Sequence, residues 1–345
     1  MKAMLLAAGE GTRLRPLTLT LPKPLVPVAN VPLLVRTIGL LRAHGITQIA
    51  VNLYHKGAAI RDTLGNGSGL GVALHYSDET VLLGTAGGVK RMESFLDEPF
   101  LVLYGDNLYR ADFAPLVKTH TKSGAIATIA TFTTPTPTVC GLVETNAAGY
   151  VTRFVEKPPA SDVFTNQANA GVYVCDPGVF AYIPGGAVCD FGADVFPAIL
   201  AGGAHRLAAA PLGGYLQDAG TVDNYRKANW DVLDGATGDA ALAVCGMTLG
   251  EDTLLSSSAV LDGRNIIGGD CFVGENAHLT DCIVWNSCRI GPGAILTSAI
   301  LGRNVVVGTG AVIRHGAILA DDVVVKPGAI VAADARVAPG TVVEK

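Results

Sequence analysis

The chain has 345 residues, enough for two domains. Hydrophobic residues make up 49% and charged residues 16%, which excludes wholesale disorder and provides for a buried core. A net charge of −5 speaks against a general nucleic-acid binder, while a nucleotide substrate needs only a few well-placed cations.

The first apolar run, KAMLLA (2–7), ends at Gly9 and suits a buried parallel strand. From Pro32 to His44 the spacing of Leu34, Ile38 and Leu41 predicts one helical face, with Gly45 as its stop. TQIAVNL (47–53) and FLVLYG (100–105) read as further strands, and GTAGGVKRMESF (84–95) as a loop entering a helix. Strands alternating with helices predict an α/β sheet covered on both faces. Between the later runs, IATIATF (126–132), GLVET, VTRFVE and NAGVYV, little helix intervenes, so part of the sheet should be mixed. None of these runs is long enough to span a bilayer, and no signal peptide is expected ahead of the first strand. Seven cysteines without a CxxC pair fit free thiols in a reducing cytoplasm, and Cys282 and Cys288 lack further ligands for zinc.

TVDNYRKANWDVL (221–233) reads as a helix and GATGDA (235–240) as a linker. A six-residue period then takes over. Aliphatics fall at Ile267, Val273, Leu279, Val284, Ile290, Leu296, Leu301, Val307, Ile313, Leu319, Val325, Val331 and Val337, with steps of five at 279→284 and 296→301. Gly often follows the aliphatic, and a small residue sits four after it. This repeat predicts a parallel β-helix of about four triangular coils. Its left-handed winding is taken from known hexapeptide proteins. Trp285 interrupts a hexad where Gly often sits, and a place outside the coil, at an interface, is one alternative for it. The expected division is a catalytic domain over 1–234, a linker over 235–257 and the β-helix over 258–345.

The N-terminal segment AAGEGTRLRPLTLTLPKPLVPV (7–28) carries Gly9 and Gly11 directly after a buried strand. Glycines let backbone N–H groups approach phosphate oxygens. Arg13, Arg15 and Lys23 add three cations, and Pro22 and Pro24 stiffen the lysine's segment. The segment is neither a Walker A loop, lacking GKS or GKT, nor a dinucleotide fingerprint, lacking the third Gly.

G-x-G-T-R followed by P-K resembles the signature of the sugar-1-phosphate nucleotidylyltransferases, or nucleotide-sugar pyrophosphorylases. GTAG (84–87), GDN (105–107), FVEKP (154–158), NAGVYV (169–174) and DAGT (218–221) follow in the family's order. Within the family the chain is most similar to mannose-1-phosphate guanylyltransferases. The resemblance implies a Rossmann-like mixed-sheet nucleotidyltransferase domain followed by a left-handed β-helix. It implies a nucleotide site at Leu6, Ala8, Gly9, Gly11, Thr12, Arg13, Gly84 and Thr85, and a sugar site at Gly141, Glu156, Lys157 and Asn169. Arg13, Lys23, Asp106, Lys157 and Asp218 become the catalytic set, with Asp106 and Asp218 holding Mg²⁺. Asp106 also ends a buried strand, where sheets of this kind bind ligands. The family often has an aromatic before the sugar-site Gly, whereas this chain has Cys140, a departure that bears on sugar preference.

The implied reaction joins an NTP, GTP foremost, to a sugar 1-phosphate, mannose 1-phosphate foremost, and releases pyrophosphate. Another nucleotide, UTP, dTTP or ATP, with another hexose or heptose 1-phosphate is the alternative within the class. A β-helix acyltransferase using His278 or His315 and a catalytically silent regulatory subunit are the alternatives outside it. His55, His75 and His120 are expected to be surface or packing residues. The β-helix sides suit a cytoplasmic homo-oligomer, with no nucleic-acid or membrane partner.

Overall fold

Lys2–Leu6 is buried along its apolar residues and forms the middle of a parallel sheet, hydrogen-bonded to Gln48–Leu53 on one side and Phe100–Tyr104 on the other. Ala73–Asp78 extends the parallel part beyond Gln48–Leu53. Past Phe100–Tyr104 the sheet becomes mixed. Gln167–Cys175 pairs antiparallel with Phe100–Tyr104 and with Ala127–Thr133, and Gly141–Thr145 and Val151–Glu156 form the far edge. Among the described residues this sheet has nine strands; it is mixed, as the later runs predict, and Rossmann-like, as the resemblance implies. The helix read from Leu34, Ile38 and Leu41 spans Leu33–Ala43, and all three side chains are buried. Pro32 lies just outside it, in a two-residue strand paired with Pro27–Val28. Phe100, Tyr173, Phe191 and Phe196 anchor the core, with Tyr173 in ring contact with both Phe191 and Phe196.

The computed structural model describes residues 1–238 and 246–344. These group into two units, Met1–Gly9 with Leu34–Leu216, and Glu10–Leu33 with Gln217–Lys345. The mixed sheet belongs to the first. The second contains the β-helix, the helix Val222–Leu233 and the Gly-Thr-Arg segment. Part of the expected linker, residues 239–245, lies outside the described residues.

Among the described residues the β-helix has three parallel sheets of six, six and five strands, more turns than the hexads alone suggested. Its first strands, Met247–Leu249, Leu254–Leu255 and Val260–Asp262, precede the clear hexads. The predicted aliphatics from Ile267 to Val331 are all buried and stack with the small residues, among them Cys271, Ala277, Cys288, Ala294 and Ala311. Gly follows the aliphatic because successive coils touch there: a Cβ on Gly291 would lie 2.8 Å from the Thr309 nitrogen. Coil corners take left-handed backbone at Asp, Asn, Ser or Gly, such as Asp270, Asn276, Asn304 and Gly310.

Trp285 meets an element of its own chain. Its side chain lies outside the coil but is buried, because its Nε1–H donates to the Tyr225 hydroxyl at 2.9 Å. Tyr225 lies on the helix Val222–Leu233, whose N-terminus is capped by Thr221 Oγ1 accepting from the Asn224 amide. That helix covers one β-helix sheet. Arg226 donates to the Ser298 carbonyl, and the outward residues Ile266, Ile283, Ile300 and Ile318 of this sheet are buried.

Two neighbouring residues test the stacking account. Leu296→Ala, inside the coil, should lower stability by about 2–5 kcal/mol in a denaturant titration. Ile295→Ala, on the adjacent outward and 47% exposed position, should stay within about 1 kcal/mol.

Candidate active site

In the second unit the Gly-Thr-Arg segment winds through three short 3₁₀ turns, Thr12–Leu14, Leu17–Leu19 and Lys23–Leu25. Gly11 has φ +66°, and an added Cβ would lie 2.7 Å from Lys23 Cβ, so both conformation and space demand glycine. Its carbonyl accepts from Thr18 Oγ1 at 2.8 Å, which folds the loop back on itself. Lys23 is 5% exposed, and its Nζ reaches Asp218 Oδ1 at 2.9 Å. A buried ammonium needs such a partner, since desolvation penalises an isolated charge by several kcal/mol. Arg13 is 68% exposed, with Nη2 3.7 Å from Asp218 Oδ2. Asp218 is thus bracketed by two cations. Gly220 makes the bracket possible: a Cβ there would lie 2.8 Å from both Arg13 Nη2 and Asp218 Oδ1. The arrangement is an electropositive loop whose exposed guanidinium is able to meet an anion, with a carboxylate ready to release its cations to one.

In the first unit, Leu6, Ala8 and Gly9 lie at and just beyond the C-terminal end of the first strand. Leu6 and Ala8 are buried, and Gly9 has open space where a Cβ would be. Asn52, which the sequence reading missed, fixes this stretch. Its Oδ1 accepts from the Ala7 amide at 2.8 Å and its Nδ2 donates to Glu79 Oε1 at 2.7 Å. Glu79 Oε2 in turn accepts from the Leu83 amide, just before Gly84. Gly84 opens the helix Gly84–Lys90 with φ +75°, packed so tightly on the Cys189 carbonyl that a Cβ would lie 2.6 Å away. The Thr85 amide and hydroxyl both donate to Asp190 Oδ1 at 2.9 Å. Asp106 occupies the turn between Phe100–Tyr104 and Asn107–Ala111.

Glu156, at the end of Val151–Glu156, is wedged between two glycines: a Cβ on Gly141 or on Gly192 would lie 2.5 Å from its Oε2. Its Oε1 pairs with Lys157 Nζ at 3.1 Å. Lys157 has φ +45°, uncommon for a residue with a Cβ, and its amide donates to the Cys140 carbonyl. Asn169 Nδ2 donates to the Tyr173 hydroxyl, and its Oδ1 accepts from the Gly171 amide. Tyr173 and Tyr104 hydroxyls lie 3.4 Å apart. Burial pushes the Tyr104 hydroxyl up to about 12, reinforced by the negative charges of Glu156, Asp190 and Asp106. Burial likewise raises Tyr173, so both phenols stay neutral donors near pH 7.

The first unit therefore gathers Gly141, Glu156, Lys157 and Asn169, and joins Thr85 to the same region through the Asp190–Gly192 segment. The second gathers Gly11, Thr12, Arg13, Lys23 and Asp218. Asp190, Gly192 and Gly220 went unread. Gly220 stood in a quoted motif, but its role is only visible in three dimensions. CDFG around Asp190 carried no spacing signal.

Elsewhere, His120 is a packing residue, 3.0 Å from Thr128 Oγ1, and burial pushes its pKa down despite Asp176. His278, on the β-helix exterior, pairs with Asp262 at 2.6 Å. Among the described residues no cluster of three or more His, Cys, Asp or Glu forms a ready-made metal cage. None of the described helices is long and apolar enough to cross a membrane.

Residues 2–235 match the nucleotidyl transferase family, and residues 239–344 match the left-handed β-helix (LbH) domain of the EIF2B epsilon subunit. A Synechocystis protein named UTP–glucose-1-phosphate uridylyltransferase is 41% identical over 59% of this chain, and the match spans 56% of that relative's length. A mannose-1-phosphate guanylyltransferase of Mycobacterium tuberculosis is 32% identical over 82% of this chain and 79% of its own. A solved Bacillus anthracis structure titled "Putative Glucose-1-Phosphate Thymidylyltransferase", in complex with a sucrose, superposes with a TM-score of 0.60 at 25% identity, covering 66% of this chain and 94% of that one. The nucleotidyl transferase match spans more than half of the chain, and the M. tuberculosis relative is matched over most of its length: the chain belongs to the nucleotidyl transferase family, as a sugar-1-phosphate nucleotidylyltransferase with a C-terminal left-handed β-helix.

Proposed function

We propose that the chain transfers GMP from GTP to α-D-mannose 1-phosphate, giving GDP-mannose and pyrophosphate. The observation that carries the reading is the cationic bracket of Arg13 and Lys23 around Asp218. The relatives named mannose-1-phosphate guanylyltransferase, one matched over most of its length, support guanine and mannose over the uridylyl alternative.

A phosphate oxygen of the sugar 1-phosphate attacks the α-phosphorus, and the bond to the bridging oxygen of the β-phosphate breaks. The nucleophile is already anionic near neutral pH, so no general base is required. Positioning and charge neutralisation supply the rate. Arg13 and Lys23 neutralise the departing pyrophosphate. Lys157 aligns the attacking phosphate, and Glu156 and Asn169 take the sugar hydroxyls, with Gly141 leaving room for them. Leu6, Ala8 and Gly9 border the base, Gly11 and Thr12 offer amides to the phosphates, and Gly84 and Thr85 meet the nucleoside.

Asp106 and Asp218 are hard oxygen donors, the chemistry Mg²⁺ prefers, and Mg²⁺ commonly takes only one or two carboxylates beside substrate phosphates. They would hold Mg²⁺, which would supply further neutralisation of phosphate charge. We also assign the protein to the cytoplasm, as a homo-oligomer. Two β-helix faces carry exposed apolar residues, Leu254, Phe272, Val306 and Val342 on one, with Arg289 among them, and Val260, Ile295 and Ile330 on the other, with His278 among them, which suit contact between copies.

Pyrophosphate release across a matrix of NTPs and sugar 1-phosphates tests the reading. GTP with mannose 1-phosphate should dominate and should require a divalent cation. A different dominant pair would replace the substrates, and silence across the matrix with nucleotide binding intact would leave a regulatory subunit.

Two variants probe the two halves. Arg13→Ala should lower kcat by about 10²–10³-fold with an unchanged melting temperature, because the side chain is exposed. Gly192→Ala pushes on Glu156 and should raise the KM for mannose 1-phosphate about tenfold, a loss of about 1.4 kcal/mol, with the KM for GTP little changed.

A further inference from the structure

The segment that carries Lys23 groups with the β-helix and not with the mixed sheet. It is fastened there at both ends. Ahead of Lys23, the Thr20 hydroxyl donates to Asp321 Oδ2 at 2.9 Å. Behind it, the Pro27 carbonyl accepts from the Tyr225 hydroxyl at 2.7 Å, and Tyr225 is held by Trp285 of the β-helix. The Ala29 amide donates to Asn229 Oδ1, and Asn30 Nδ2 donates to the Ile267 carbonyl, inside the first clear hexad.

Asp321 is a β-helix residue of unusual character. It is 2% exposed, and each oxygen is engaged: Oδ1 accepts from the Arg303 amide at 2.7 Å, and Oδ2 from Arg303 Nε and Nη2 at 2.9 and 2.6 Å. A buried carboxylate held by a guanidinium has a fixed position and cannot swing to follow a loop. A neutral hydroxyl that docks on it is therefore placed by the β-helix. Three residues after Thr20, the Lys23 ammonium meets Asp218.

We propose that Asp321 is a positioning residue for the nucleotidyl transfer. Oriented by Arg303, it holds Thr20 and so sets the place of the Lys23 ammonium. The β-helix would then be part of the catalytic scaffold as well as an assembly surface. The proposal rests on the functional reading above only in that Lys23 is the group being placed.

The test uses the full chain with Thr20→Val, Thr20→Ser and Asp321→Asn. Thr20→Val removes only the docking hydroxyl and leaves the Asp321–Arg303 pair intact, so it remains informative if Asp321→Asn folds poorly. Hydrogen exchange is read at the Leu25 and Val26 amides, which bond to the Pro22 and Lys23 carbonyls. Thr20→Val should accelerate their exchange at least about tenfold, with β-helix peptides unchanged. Its kcat should fall about 10–100-fold, the range a misplaced catalytic group costs, with KM for the sugar phosphate within about twofold. Thr20→Ser should restore both, and Asp321→Asn should behave as Thr20→Val. Wild-type protection of these amides in Thr20→Val, or wild-type kcat despite a loosened loop, overturns the proposal. If the wild-type chain turns over no NTP with any sugar 1-phosphate, the functional reading fails, and exchange alone decides the positioning by the same criterion.

Discussion

A buried ammonium needs a carboxylate, and much of this site follows from where Lys23 finds one. Lys23 is nearly without solvent, and Asp218 is its partner at 2.9 Å. For the pair to form, the loop must double back, which Gly11 permits by its left-handed backbone and its lack of a Cβ against Lys23. For Arg13 to join it, the residue after Ala219 must also lack a Cβ, which Gly220 provides. Such a pair contributes little net stability once desolvation is counted. Its value lies in preorganisation: two cations are placed before any anion arrives, and the carboxylate that holds them is itself a hard ligand.

The same logic recurs on the mixed sheet with opposite sign. Glu156 is an anion placed by the absence of side chains, with Gly141 and Gly192 on either side and Lys157 at its end. Tyr104 and Tyr173 stay protonated behind it, so they hydrogen-bond without adding charge. Asn52 and Glu79 perform the corresponding service for the backbone at Ala7 and Leu83. In each case a short polar network or a missing Cβ fixes a group that chemistry needs at one point.

Legibility of these features in the sequence depended on whether the cause was periodic or spatial. Hexads announce themselves because coil stacking demands an aliphatic at every sixth residue, and Leu34, Ile38 and Leu41 because a helix face repeats. Gly-Thr-Arg, Asp106, Glu156-Lys157 and Asn169 stood out because they sit in short motifs that follow the order of the family they resemble. Trp285 stood out as a break in the repeat, but its partner Tyr225, sixty residues away in the chain, did not. Asp190, Gly192, Asn52 and Asp321 were invisible for the same reason. Each acts on a residue distant in sequence, and nothing in its local pattern marks the partner. The first coil, from Met247, was missed because its strands precede the strict repeat.

Pre-steady-state turnover of Lys23→Met with GTP and mannose 1-phosphate bears most directly on the claim that a preplaced cation drives the transfer. Methionine fills nearly the same apolar volume and removes only the charge. The account predicts a loss of at least about 10²-fold in the chemical step, with GTP affinity changed much less. A chemical step at the wild-type rate in a folded Lys23→Met protein would contradict it.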